Sequence, residues 1–228
     1  MIDKFLRQIQ QPKMRELWGN KDDEIWDMPT KMILGITGSI GSGKTTASNL
    51  FKKLGFFIVN ADEIGHEVIK KNSAAYKKII KEFGNEILDN NKNIDRKILG
   101  SIVFNDKIKL KKLNSIMHPI IINEIENQIK KIKQKCGNKT KIVIDAPLLL
   151  ETKTKNLVDK IIVVKADKKN IIKRLNKRFS KEKIEKILKS QMPLDEKLRY
   201  VDFVIDNNKD LKHLEKQVEN IIKKLNNK

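Results

Sequence analysis

The chain has 228 residues, 34% of them charged, and its 49 Lys plus Arg against 29 Asp plus Glu leave a formal charge of +20. That length accommodates one sizeable core with a small inserted subdomain, and excludes a short peptide or a repeat array. The positive excess is almost all lysine and is spread along the whole chain, a compositional bias that argues against a nucleic-acid partner, whose footprint would be clustered. A partly basic surface still suits a polyanionic small substrate. The single cysteine, Cys136, makes no internal bridge, so a reducing compartment is expected. With no apolar stretch of spanning length and no signal-peptide core, the expected location is cytoplasmic, without a membrane partner. His66, His118 and His213 are scattered without the spacing of a Cys/His metal cage.

Residues 1–31 gather Glu16, Asp22, Asp23, Glu24 and Asp27 beside Trp18 and Trp26, and read as an extension outside the core, dispensable or regulatory. A complete domain is expected over residues 32–228. Apolar runs at 32–36, 56–59, 141–144, 160–164 and 203–205 alternate with longer amphipathic stretches, the pattern of a parallel sheet covered by helices. The first run leads into Gly38-Ser39-Ile40-Gly41-Ser42-Gly43-Lys44-Thr45, which fits G-x-x-x-x-G-K-[ST]. In that motif glycines let successive backbone N–H groups turn inward on phosphates, the lysine reaches the outer phosphates, and the hydroxyl ligates magnesium. Gly41, Ser42, Gly43, Lys44 and Thr45 take these roles, with a helix over 45–54 behind them, so a nucleoside triphosphate and Mg²⁺ are the expected ligands.

The second run ends in Asn60-Ala61-Asp62. A carboxylate at a strand's carboxyl end is placed to take the proton of an attacking hydroxyl, or equally to cap the helix beginning near Glu63. Residues 63–138 have helical periodicity and no strand signal, which predicts a helical lobe over the sheet's carboxyl edge, where open α/β sheets hold ligands. Within it, Arg96 sits at the start of a helix over 95–104, where a positive charge opposes the helix dipole and needs another reason. His118 reads as a helix-end or turn residue because Pro119 follows it. The third run ends at Asp145, either in the magnesium shell facing Thr45, chiefly through water, or as a strand-end cap. Arg174 and Arg178 are spaced to share one helical face, as a paired polyphosphate contact or a surface ion-pair face. Asn207, just before a final helix over 211–228, offers an amide to an adenine edge or caps a turn.

Taken in order, Thr37 to Thr46, Asn60-Ala61-Asp62, Ile94-Asp95-Arg96-Lys97 with Val103-Phe104, His118-Pro119, Pro147-Leu148-Leu149-Leu150-Glu151 and Val204-Ile205-Asp206-Asn207 resemble the dephospho-coenzyme A kinases. The resemblance runs from about Met32 to the end of the chain. It implies an α/β fold of the P-loop NTPase type, a parallel sheet flanked by helices, with an inserted helical substrate lobe over 63–138 and a short lid over 174–195. It further implies ATP-dependent phosphorylation of the ribose 3′-hydroxyl of dephospho-coenzyme A, by a monomer or small homo-oligomer. On this likeness Asp62 orients the acceptor hydroxyl, Lys44 offsets phosphate charge, Thr45 ligates magnesium, and Thr37 lines the same corner. Arg174 stabilises charge on the transferred group, Arg178 and Asn207 lie on the ATP side, and Arg96, His118, Pro147, Leu148 and Glu151 shape the acceptor side. Two departures stand out: Asn60 replaces the family's usual acid, and Phe179 alone separates Arg178 from Ser180, where a longer polar loop is common. The alternatives are another small-metabolite or nucleoside monophosphate kinase, or a basic nucleic-acid-binding P-loop ATPase whose binding would be steeply salt-dependent.

Overall fold

The computed structural model describes residues 32–137 and 140–226. The 1–31 extension, with Trp18 and Trp26, lies outside them. In chain order the elements are β1 (Met32–Thr37), α1 (Lys44–Lys53), β2 (Phe57–Asn60), α2 (Ala61–Val68), α3 (Ala74–Phe83), α4 (Arg96–Phe104) and α5 (Lys107–Cys136). They continue with β3 (Lys141–Asp145), β4 (Lys160–Lys165), α6 (Lys168–Leu175), α7 (Lys181–Ser190), α8 (Leu194–Lys197), β5 (Phe203–Asp206) and α9 (Leu211–Asn226). All strand pairs are parallel, in the order β2-β3-β1-β4-β5. Every expected strand is present, each reaching one residue further at its carboxyl end.

The sheet forms from near-continuous apolar runs because both of its faces are covered. On one face α1 and α9 pack through Phe51, Val218 and Ile222 against Leu34, Val143 and Ile162. On the other, α2 and α5 pack through Ile64, Ile125 and Ile129 against Ile142 and Ile144. β1 lies at the centre with β3 and β4 on its two sides, so a crevice opens at its carboxyl end, where α/β sheets take their ligands.

A second core sits in the helical region. Ile79 and Phe83 of α3 meet Leu99 and Val103 of α4, against Leu113 and Met117 of α5. The carboxyl half of the same α5 inserts Ile125, Ile129 and Ile132 into the sheet cluster, so one 30-residue helix ties both cores together. This corrects the reading of His118, which lies mid-helix. Proline's missing N–H and ring clash cost a helix about 3 kcal/mol, but packing on both sides of Pro119 holds α5 continuous.

A further small cluster joins α6 and α7 to the P-loop, with Ile171, Leu175 and Ile184 around Ile40. α6 stops at Leu175, whose carbonyl accepts from both Arg178 N (2.9 Å) and Phe179 N (3.0 Å). The shared helical face expected for Arg174 and Arg178 is therefore absent. Arg178 lies exposed in the turn beyond the helix.

Phe51, on the same helix as Lys44, is fully buried and meets Phe56 edge-on, ring centroids 5.3 Å apart. Phe51→Ala is expected to cost about 3–5 kcal/mol, read as a lower urea midpoint at unchanged slope.

Candidate active site

The loop from Gly38 to Gly43 turns the chain from β1 into α1. Gly43 adopts a left-handed conformation (φ 94°), and a Cβ placed there would lie 1.8 Å from Asn207 Nδ2. Only glycine fits both the dihedral and the space. No side chain caps α1 and no acid lies in its first turn, whereas Asn60, Ser73, Asp95 and Asp106 cap α2 to α5. The first N–H groups of α1 are thus free of side-chain acceptors, and its positive dipole end favours an anion.

The outer side of the loop is clasped by polar groups. Arg174 Nη1 donates to the Gly41 and Ser42 carbonyls (3.1 Å each), and its Nη2 donates to the Asn207 carbonyl (2.7 Å). The buried Asn207 donates Nδ2 to the Ser42 carbonyl at 2.7 Å. Its amide nitrogen is directed at the loop backbone, a partner that neither alternative from the sequence, an adenine edge or a turn cap, names. Turn capping falls to Asp206, whose Oδ1 accepts from Asn208 N at 3.0 Å, while Asn208 bridges to Asp167, accepting from its N (2.7 Å) and donating to its Oδ1 (3.1 Å).

The sheet register brings three strand ends together, with Asp145 paired to Ile36 on one side and to Asn60 on the other. Asp145 is 1% exposed, forms an ion pair with Lys44, and accepts from Ser48 Oγ at 2.8 Å. Thr45, Ser48 and Asp145 line one cavity of about 270 Å³, with the threonine exposed. Asp145 thus holds the P-loop lysine and faces the same space as the threonine hydroxyl. Thr46 is exposed beside it.

Asn60 caps α2, accepting from Asp62 N (2.9 Å) and Glu63 N (3.2 Å). The cap alternative for Asp62 is thereby overturned, and its carboxylate is left facing the crevice. It borders two cavities, of about 430 and 240 Å³. Asp62 is exposed to solvent there, yet the protein mass packed around it raises its pKa above the ordinary 3.8. Burial is the largest cause; Lys44, His66 and Arg96 pull it down and Asp145 pushes it up.

Arg96, Pro147 and Leu148 wall the larger cavity with Asp62, and His118 joins Pro147 and Leu148 in the smaller. Burial lowers the His118 pKa, so the ring is neutral near pH 7. Glu151, expected on the acceptor side, is displaced from these walls, and Thr37, expected in the catalytic corner, turns its hydroxyl onto the backbone. The buried Thr37 hydroxyl donates to the Pro147 carbonyl at 3.0 Å, and Glu151 pairs with Lys197 at 3.0 Å. Sequence reasoning passed over Lys197, Gln191, His66 and Ser48. Lys197 is one basic residue in 49, and nothing in its local sequence marks burial.

A glycine loop at an uncapped helix start, a lysine paired to a strand-end acid, and a carboxylate bordering two cavities are the parts of a P-loop kinase. The family model for dephospho-CoA kinase matches residues 32–213. The dephospho-CoA kinase of Carboxydothermus hydrogenoformans is 41% identical over 194 residues, covering 84% of this chain and 93% of its own. That of Fusobacterium nucleatum is 44% identical over 190 residues, covering 82% and 95%. Among solved structures, dephospho-CoA kinase from Campylobacter jejuni matches with a TM-score of 0.62 at 31% identity, covering 86% of this chain and 97% of that one. TT1252 from Thermus thermophilus shares the fold, with a TM-score of 0.71 at 24% identity, covering 86% and 99%. The chain belongs to the dephospho-CoA kinase family.

Gly43→Ala is expected to abolish ATP binding, measured by titration calorimetry, while the folded far-UV spectrum is retained; retained ATP affinity would refute the cradle geometry.

Proposed function

We propose that this chain transfers the γ-phosphoryl of ATP to the ribose 3′-hydroxyl of dephospho-coenzyme A, giving coenzyme A and ADP. The observation that carries the reading is Asp62. It is freed from capping by Asn60 and stands between the P-loop lysine environment and the larger cavity. Phosphoryl transfer asks the protein mainly to position groups and neutralise charge, so a base within reach of the acceptor oxygen is the part required. In this reading Asp62 accepts the hydroxyl proton as the acceptor oxygen attacks. Lys44 leaves Asp145 to share its charge with the outer phosphates. Arg96 and neutral His118 line the space for the acceptor, while Pro147 and Leu148 give it an apolar wall.

Magnesium fits the residues present. Among the described residues no group of three or more His, Cys, Asp or Glu could hold a metal. Thr45, with Asp145 acting through water, would hold it beside the nucleotide's own phosphates, in keeping with magnesium's habit of retaining several waters. When bound it supplies charge neutralisation at the phosphate oxygens. Among the described residues no helix is long and apolar enough to cross a membrane, and the exposed free thiol of Cys136 suits the cytoplasm.

With ATP and magnesium, dephospho-coenzyme A is expected to give coenzyme A, identified by mass; faster turnover of a nucleoside monophosphate would transfer the assignment to another small-molecule kinase.

Asp62 yields a second prediction with opposite signs for rate and stability. Its raised pKa means the fold disfavours the charged form, so Asp62 costs stability once pH rises past the unfolded value, and that cost vanishes at acid pH. Asp62→Asn should leave the melting temperature at pH 7 unchanged or higher, while turnover falls about 10²- to 10⁴-fold. The acid limb of kcat/KM should fall at a pH above the ordinary aspartate value of 3.8 and disappear in the variant. A limb that survives in Asp62→Asn assigns the base elsewhere.

A further inference from the structure

Lys197, the last residue of α8, has no solvent exposure, a costly place for an ammonium. Its three N–H donors meet three acceptors: Glu151 Oε1 at 3.0 Å, the Pro147 carbonyl at 3.0 Å and Thr37 Oγ1 at 3.5 Å. Each belongs to a different part of the site's frame. Thr37 is the last residue of β1, where the P-loop begins, and its hydroxyl also donates to the Pro147 carbonyl. Pro147, with Leu148 beside it, walls both cavities at Asp62.

Glu151 also accepts from Met192 N at 3.1 Å, and the neighbouring Gln191 accepts from the P-loop amide of Ile40 at 3.2 Å. The segment carrying Lys197 therefore grips the loop after β3 and the P-loop at once. Stability offers little account of a charge here, because apolar replacements of buried ion pairs are often neutral or better. What an apolar side chain lacks is directional bonding to a carbonyl and a hydroxyl on two separate elements.

We propose that Lys197 is a positioning residue for phosphoryl transfer, fixing the Pro147–Leu148 wall against the start of the P-loop and thereby the acceptor hydroxyl against the phosphate. The inference rests on the acceptor reading above. It separates two substrates: the acceptor contacts the wall that Lys197 holds, whereas the nucleotide phosphates are cradled by backbone groups that Arg174 and Asn207 hold independently.

The test compares the parent chain with Lys197→Met and with Lys197→Met/Glu151→Gln, the second variant also removing the carboxylate charge that loses its partner. Melting curves, ATP affinity by calorimetry, and KM and kcat with dephospho-coenzyme A are measured. In the folded double variant, KM for dephospho-coenzyme A should rise roughly 10-fold and kcat fall by up to about 10²-fold, with ATP affinity within about twofold of the parent. Parental KM and kcat in that variant, or an equal loss of ATP affinity, overturns the role of Lys197 while the parent's turnover keeps the reaction. A parent inactive on dephospho-coenzyme A overturns the reaction itself, and this inference with it.

Discussion

The site depends on the parallel register of β1, β2 and β3, which sets Asp145 between Ile36 and Asn60. Side chains alternate along a strand, so a slip of one residue would carry the Asp145 carboxylate to the opposite face, away from Ser48 and Lys44 on α1. Polar contacts do not enforce that register. Leu34, Ile36, Val143 and Ile144 are wholly buried, and each apolar side chain turned outward would forfeit about 1.5–3 kcal/mol. The apolar layers on the two faces thus set the position of a charged cluster at the sheet's end.

Within that cluster one cation serves two acids. Lys44 is paired with the nearly dry Asp145, and its pull on Asp62 is outweighed by burial, with Asp145 adding repulsion. The result is a carboxylate readier than usual to hold a proton while still open to the crevice, the balance a proton acceptor requires. Arg96 acts in the same field. At a helix start its charge opposes the dipole, but Asp95 caps that helix through Lys97 N and Ile98 N, and Arg96 extends a positive charge toward Asp62.

The strands and the P-loop were legible because their signals are local. Unbroken apolar runs mark doubly covered strands, and the phosphate cradle demands particular residue types at fixed offsets. Asp62 was legible only as an alternative, since capping and proton transfer ask for the same residue type; the tie was broken by Asn60, whose amide oxygen takes both helix N–H groups. The likeness of Arg174 and Arg178 failed because spacing assumes that the helix continues, and α6 ends at Leu175. His118 failed in the other direction, where packing along α5 overrode the local rule for the residue before proline. Lys197 was illegible because burial of one lysine among many is decided by contacts 50 and 160 residues away.

The placement of Arg174 changes the part it plays. A trans peptide is planar, with C=O and N–H on opposite sides. Fixing the Ser42 carbonyl outward, by Arg174 Nη1 and Asn207 Nδ2, therefore turns the N–H of Gly43 inward to the cradle. Gly43 can follow because its left-handed backbone carries no Cβ to meet Asn207. A guanidinium committed to two loop carbonyls orients dipoles ahead of the reaction, and donors already aimed where charge develops need no reorganisation when it does. In the proposed reaction Arg174 would act on phosphate only through the backbone it holds, and holding three carbonyls at once suits an arginine, with its rigid fork of donors, in a chain otherwise rich in lysine.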